Sequence, residues 1–337
     1  MTVSSSSHRG LRGVLLAGGA ALALLLSACG SSSNKTTTSA AGSAGGAAVS
    51  AVTSAASSMA SGASSAGGSA MSGASSGASS MSSGSGGASA GLTDADKTAA
   101  KGTLTDSSKL TVCTSLPYAP FEIDNGSGQI VGFDIDFMNA IAKDLGVQVK
   151  VVALDFSGIQ SGQAMKSKKC DIAAAAMTIN PERKKNITFS DPYYDASQAL
   201  MVLNDSTVKS LADLKGKKLG AQTATTGFLY ATKNAAANGY SVTQYRQIND
   251  EELALTTNKI DAAIHDQPAL NQYVKEHPGK AKVVANFNTG EQYGFGMALG
   301  NTALTKVANH AIAQSFKDGT YKTAFEKWIG GTAPNHV

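Results

Sequence analysis

Residues 173–194, AAAAMTINPERKKNITFSDPYY, decide how the rest of the chain is read. The run Ala173–Ala176 has the small, apolar composition of a strand buried on both faces. It breaks at Thr178-Ile179-Asn180. Pro181 suits the first turn of a helix, where its missing N–H leaves nothing unpaired. Glu182, Arg183, Lys184 and Lys185 follow, and Ser190-Asp191-Pro192 reads as a turn before two tyrosines. Ligands of open α/β sheets sit just past the carboxyl ends of the strands. A buried strand that ends in a hydroxyl and then an arginine is therefore a place to hold a small anion. Taken alone, the stretch favours the plainer reading of Arg183 as a solvated charge, so the surrounding chain must decide.

Upstream, Leu110–Ser115 reads as a short buried strand and Leu116-Pro-Tyr-Ala-Pro-Phe121 as a stiffened loop. Glu122–Val131 reads as a hairpin turning at Asn125-Gly126. Residues 133, 137, 138, 141 and 145 are apolar at helical spacing, with Gly146 just past the end. A strand over Val147–Val152 and a helix from Asp155-Phe-Ser-Gly158 to about Lys168 lead to the strand Asp171–Ala176. Downstream, Gln198–Leu203 is extended, and a second alternation follows. Its strands are Lys218–Ala221, Val242–Tyr245, Ala262–Ile264 and Ala281–Ala285. Its helices are Ser210–Gly216, Phe228–Ala237, Asp250–Asn258 and Pro268–Lys275. Gln292–Leu299 is extended again, and two amphipathic helices, Ala303–Lys317 and Tyr321–Ile329, close the pattern. Alternation of this kind implies sheets with right-handed parallel crossovers. Two such halves joined by two extended segments imply a hinge, with a cleft between the lobes.

The N-terminus reads as an export signal. His8, Arg9 and Arg12 precede an apolar stretch, Val14–Leu26, too short for a membrane span. Leu26-Ser27-Ala28-Cys29 resembles the lipobox of bacterial lipoproteins. That resemblance implies cleavage before Cys29 and lipidation of its thiol, hence a membrane anchor. From Gly30 to about Gly91 the chain is almost wholly Ser, Ala, Gly and Thr and cannot bury enough apolar surface to fold. Read as a flexible coil to residue 103, it has a reach of about 45–50 Å. Such a tether suits a Gram-positive host.

The chain has 28 Lys and Arg against 24 Asp and Glu, and residues 1–103 hold five of the former and two of the latter. The remaining 23 and 22 leave the folded region near neutral, which argues against a nucleic-acid partner. Some 227 residues remain for two lobes with real cores. Beyond Cys29 there are two cysteines, Cys113 and Cys170. If the strands ending at Ser115 and Ala176 are parallel and finish at one cleft, the two are offset by about four residues, or roughly 13 Å. A disulfide needs Cα atoms within about 7 Å, so two buried free thiols are predicted. No Cys/His spacing suggests a metal site, and no cofactor is expected.

Four strand ends point at the cleft: Ser115, Ala176–Thr178, Gln222–Thr226 and His265–Asp266. With Arg183, Tyr118 and Phe156 they supply a cation, an anion, hydroxyls, helix N-terminal amides and two aromatic walls, the mixture a zwitterion needs. Arg183 can take a carboxylate bidentately, aided by the amides at Thr225–Gly227. Asp266 can take an ammonium, and equally reads as the N-cap of the next helix. His265, Tyr118 and Phe156, each taken singly, read as core residues. The joint pattern is what favours a site.

The motifs LTVCTSLPYAPFE, GQIVGFDIDFMNAIAKDLG, DFSGIQSG, DIAAAAMTINPERKKNITFSDPYY, SLADLKGKKLGAQTATTG, DAAIHDQPA, YGFGMAL and DGTYKTAFEKWIG resemble, in this order, the polar amino-acid (family 3) substrate-binding proteins of bacterial ABC importers. The resemblance spans residues 107–330. It implies an α/β, two-lobe periplasmic-binding-protein (Venus flytrap) fold, each lobe a mainly parallel sheet flanked by helices, with two hinge crossings. The expected division is a signal peptide over 1–28, lipidated Cys29 and tether over 29–103, lobe 1 over 104–198 and 292–330, lobe 2 over 199–291, and a tail over 331–337. It implies that Arg183, with the Thr178 and Thr226 amides, holds an α-carboxylate. Asp266, the Thr178 hydroxyl and the Ala176 carbonyl would hold an α-ammonium, and Tyr118 and Phe156 would flank the side chain. Ser115 stands where many relatives have Asp, which argues against basic ligands. Gln222 stands where glutamine-binding relatives have Lys, whereas His265 matches them. Ser115, Gln222 and His265 thus point to a polar or small neutral amino acid, glutamine among them. Ala176-Met177 replaces a smaller pattern in relatives. The resemblance implies a monomeric, non-enzymatic lipoprotein on the outer face of the membrane that delivers its ligand to an ABC permease. The alternatives are a dehydratase-like enzyme on the same fold, for which His265 and Asp266 are the candidate acids, and a sensor that presents ligand to a receptor.

Overall fold

The computed structural model describes residues 91–337. The export signal, Cys29 and nearly all of the Ser/Ala/Gly stretch lie outside the described residues. The folded part begins earlier than the sequence implies. Helix α1 (Asp94–Lys101) falls within the segment assigned to the tether. Thr93 and Asp96 form a reciprocal capping box, a local signal that outweighs the Ala-, Thr- and Gly-rich composition around it. Ala100 is buried in the first core, and Asp96 pairs with Lys306 at 2.8 Å.

The first lobe follows with β1 (Lys109–Thr114), the hairpin β2 (Ile123–Asp124) and β3 (Ile130–Val131), and α2 (Phe133–Leu145). Then come β4 (Gln148–Ala153), α3 (Phe156–Gln160), α4 (Gln163–Lys166), β5 (Ile172–Ala173), α5 (Pro181–Lys184) and β6 (Ile187–Phe189). The second lobe holds β7 (Tyr194–Leu203), a 3-10 turn at Leu211–Leu214, β8 (Lys218–Gln222) and α6 (Thr226–Asn238). It continues with β9 (Ser241–Tyr245), α7 (Ile248–Thr256), β10 (Ala262–Asp266), α8 (Gln267–Glu276) and β11 (Ala281–Tyr293). The chain then returns to the first lobe as β12 (Gly296–Ala298), α9 (Thr302–Asp318) and α10 (Thr320–Trp328).

The two five-stranded sheets run β4-β1-β5-β12-β6 and β11-β7-β10-β8-β9. In each, four strands point one way and one is reversed, β12 in the first and β7 in the second. Both sheets therefore carry the expected parallel core plus one antiparallel strand. Alternation along β7 explains why it is buried on both faces. Leu200 and Val202 enter one core with Leu219 and Ile264, while Ala199 and Met201 enter another with Leu255 and Leu270.

Three local expectations change. The helix expected over residues 155–168 is broken into α3 and α4 at Gly162 (φ +77°). A Cβ there would lie 2.6 Å from the Asn186 carbonyl oxygen, so no other residue fits the turn. The segments 281–285 and 292–299 are not separate. β11 runs unbroken to Tyr293, bulged between Val283 and Ala285 and between Phe287 and Glu291, because β7 pairs with it on both sides of each bulge. The second sheet accordingly takes Tyr194 to Tyr293 rather than 199–291, and the crossings fall at residues 190–193 and 294–295.

The free-thiol expectation is overturned. Cys113 and Cys170 form a disulfide with Cα atoms 5.6 Å apart. Cys113 pairs in register with Ala173, and β5 is only two residues long. Lys168 adopts a left-handed turn (φ 55°), and the chain before Ile172 bends away from the strand axis instead of extending along it. The 13 Å offset assumed an extended chain that is absent there.

Candidate functional site

The site lies between the carboxyl ends of the two sheets, in a cavity lined by residues of both lobes. All ten residues singled out from the sequence line it: Ser115, Tyr118, Phe156, Ala176, Thr178, Arg183, Gln222, Thr226, His265 and Asp266. Ala175 and Thr225 complete the lining.

Arg183 is positioned by α5, whose cap Asn180 accepts the Arg183 N–H and whose Pro181 fixes the first turn. Its side chain turns inward and is 4% exposed, so the solvated-charge reading fails. Nη1 donates to the Thr178 carbonyl at 2.7 Å, and Nη2 to the Ala224 carbonyl of the second lobe at 3.1 Å. The guanidinium lies 5.2 Å over the Phe156 ring. Among the described residues no carboxylate pairs with it. Burial pushes it down to about 10, opposed by the charges of Asp266 and Glu291, so it stays cationic at neutral pH. A buried guanidinium with N–H groups to spare and no counter-ion favours an incoming anion.

Asp266 occupies the N-cap position of α8 but makes no side-chain cap bond. Its carboxylate turns into the cleft, where the Tyr118 hydroxyl donates to Oδ2 at 3.0 Å and the Tyr293 hydroxyl donates to the same oxygen. Gln198 Nε2 donates to Oδ1. Burial, with the Asp266 charge alongside, pushes both phenols well above their ordinary value and keeps them donors.

His265 is fully hydrogen-bonded. The Asp266 N–H donates to Nδ1 at 2.9 Å, so the proton sits on Nε2, which donates to Gln222 Oε1 at 3.0 Å. Burial lowers its pKa and keeps it neutral. Gln222 Nε2 donates in turn to the Arg246 carbonyl at 3.0 Å, which fixes the amide. Glu251, beneath the ends of β8 and β10, is fully buried, and burial pushes it well above the carboxylate range. The side chains lining this end, Ser115, Gln222 and His265, are themselves uncharged. At the rim, the Ser115 hydroxyl donates to Gln247 Oε1 at 3.3 Å, and Arg246 pairs with Asp155 at 2.6 Å across the lobes.

The segment after β5 is held from behind at Ala176. Ala176 has φ 42°, a conformation that costs an L-residue about 1–2 kcal/mol. Asp134 Oδ2 accepts the Ala176 N–H at 3.0 Å and the Tyr193 hydroxyl at 2.8 Å. Asp134 comes from α2, whose start at Gly132 (φ 144°) would place a Cβ 2.0 Å from the Phe121 oxygen. Glu122 lies beside it, wholly buried; burial and the Asp134 charge push it well above the usual range, so it holds the proton of the pair.

Sequence reasoning missed Gln198, Glu291, Tyr293 and the Glu122–Asp134 pair. The first three lie on the hinge strands β7 and β11, where extended spacing gives no sign of which side chain turns inward. Asp134 and Glu122 do fall within quoted motifs, GFDID and PFE, and two acids flanking an aromatic loop could have raised the question. Among the described residues no cluster of three His, Cys, Asp or Glu could hold a metal ion.

Two lobes, a two-crossing hinge and one cleft have their counterpart in the known proteins. Residues 110–331 match the family described as "Bacterial extracellular solute-binding proteins, family 3". The chain belongs to this family. Among curated relatives, the arginine-binding extracellular protein ArtP of Bacillus subtilis (strain 168) is 32% identical over 224 residues, 66% of this chain and 87% of that protein. Among solved structures, an ancestral arginine-binding protein bound to arginine is 40% identical with a TM-score of 0.63, covering 66% of this chain and 99% of that one. The ancestral arginine-binding protein bound to glutamine gives the same figures. As a member of family 3, the chain is an extracytoplasmic solute-binding protein with the two-lobe α/β fold.

Proposed function

We propose that the solute is an α-amino acid with a polar or small neutral side chain, glutamine among the candidates, delivered to an ABC permease. The observation that carries this reading is the pair of opposite charges in one cavity: Arg183, buried with no carboxylate paired to it among the described residues, and Asp266, turned away from its capping position. In this reading Arg183 holds the α-carboxylate with the Thr178 and Thr226 amides. Asp266 holds the α-ammonium with the Thr178 hydroxyl and the Ala176 carbonyl. Phe156, already stacked on Arg183, forms one wall, and Tyr118 the other. The side chain meets Ser115, Gln222 and His265. That end offers neutral hydrogen-bonding groups, which suits an amide or hydroxyl better than a cation. The arginine in the names of all three relatives is thus not the ligand favoured for this chain.

The protein acts as a monomeric binding component rather than an enzyme, because both groups that could serve as acids already have binding uses. The Cys113–Cys170 disulfide supports an oxidising, extracytoplasmic setting. Lipidation at Cys29 would anchor it to the outer membrane face through the tether.

A micromolar dissociation constant requires about −8 kcal/mol, within reach of one buried, ion-paired zwitterion. The test is calorimetry of the exported protein against the twenty proteinogenic L-amino acids. Tight binding of glutamine or another neutral amino acid is expected, and preference for arginine or lysine would overturn the ligand assignment. Arg183→Ala is expected to weaken binding by about a hundred-fold or more; unchanged affinity would refute its role.

A further inference from the structure

Glu291 stands on the hinge strand β11, where pairing resumes after a bulge, and it is half-buried. Three donors from different parts of the molecule meet its carboxylate. Thr178 Oγ1 of the first lobe donates to Oε2 at 2.9 Å, and Thr226 Oγ1 of the second lobe donates to the same oxygen at 2.7 Å. Gln198 Nε2 lies 3.4 Å and 3.2 Å from its two oxygens and also donates to Asp266, so one amide bridges two carboxylates. Both hydroxyls line the cavity.

From this geometry we infer that Glu291 is a positioning residue that makes the site selective for an ammonium group, by fixing which way the Thr178 and Thr226 hydroxyls point their hydrogens. The inference rests on the amino-acid reading above. A hydroxyl has one hydrogen to give and two lone pairs. A carboxylate accepts hydrogen bonds and cannot donate one, so both hydrogens are drawn to Glu291. The two oxygens are 3.4 Å apart and have no hydrogen left to share with each other. Their lone pairs are left for other donors. Gln198 Nε2 approaches Thr226 Oγ1 at 3.2 Å in that sense. An α-ammonium, which has three hydrogens and no lone pair, meets acceptors only. An α-hydroxy acid or a deamino acid in the same place leaves those acceptors unmatched, which costs affinity. Glu291 also adds a second negative charge beside Asp266 at this end.

The experiment compares the wild-type protein with Glu291→Gln and Glu291→Asp by calorimetry. The probes are the twenty L-amino acids, then the tightest binder's counterpart lacking the α-amino group. Thermal melting of each variant checks folding. Glu291→Gln keeps the size but presents an amide that donates as well as accepts, so the hydroxyls regain both orientations. Its affinity for the amino acid is expected to fall about ten-fold, with the ratio of amino acid to deamino affinity falling by the same factor. Glu291→Asp is expected to retain part of that ratio. A merely structural role would weaken both probes alike and leave the ratio unchanged, which would overturn the inference. Unchanged amino-acid affinity in Glu291→Gln would overturn it and leave the amino-acid reading standing. A wild-type protein that binds none of the twenty would remove both.

Discussion

Asp266 sits where a helix cap belongs, yet its carboxylate leaves the α8 amides and collects Gln198, Tyr118 and Tyr293 instead. A residue that forgoes a cap worth about 1 kcal/mol is held by other demands. Ala176 is a similar case, kept at φ 42° because Asp134 holds its N–H. Behind Asp134 lies the buried carboxyl of Glu122. The carboxyl of an unfolded chain ionises near 4.5, while burial and Asp134 keep the native group protonated well above that. The raised native pKa contributes stability that is complete below pH 4.5 and is lost as pH rises through the native value. Glu122→Gln, which cannot ionise, is therefore expected to flatten the pH dependence. Melting temperatures of wild type and variant, taken from pH 4 to 9, should diverge upward in favour of the variant; parallel curves would contradict the protonated pair.

At the scale of elements, strand ends and helix starts were legible because each carries a local signal. Pro181 and Asn180 announce α5, and Thr225 caps α6. The residues they deliver to the cleft could thus be named in advance. What was hidden depends on contacts far apart in sequence. Gln198 and Glu291 are separated by 93 positions and meet only because β7 and β11 pair. The disulfide was hidden for another reason: the expected strand Asp171–Ala176 shrinks to Ile172–Ala173, and the bend before it carries Cys170 sideways to β1. Closing a loop with a sequence separation of 57 restricts the unfolded chain by about 4 kcal/mol in the entropic account. Cys113→Ala with Cys170→Ala should accordingly lose about 2–4 kcal/mol of unfolding free energy in a urea titration. A loss under 1 kcal/mol would mean that packing around Phe156, Met165 and Met177 does the same work without the bond.

Over the whole molecule, two similar sheets face each other across a short hinge. Tyr193 stacks on Phe295 with centroids 4.2 Å apart, and Tyr194 on Tyr293 at 5.5 Å, so both crossings share one aromatic seam. The rim is bridged by Arg246 and Asp155, whose side chains are 79% and 49% exposed. Exposed pairs contribute about 0–1 kcal/mol. Asp155→Asn is therefore expected to speed ligand release by no more than about five-fold, with the difference vanishing in 1 M salt. A larger, salt-insensitive change in stopped-flow release would mean that Asp155 does more than clasp the rim. The strand order has a consequence for how the chain comes together. Residues 194–293 form the second sheet from one uninterrupted run, but the first sheet must wait for β12, which wedges between β5 and β6. A chain emerging from its N-terminus presents β5 and β6 with bare edges until all of the second lobe has followed. The downstream lobe can mature first, the upstream one is sewn shut by a latecomer, and the cleft they share is the last part of the protein to come into being.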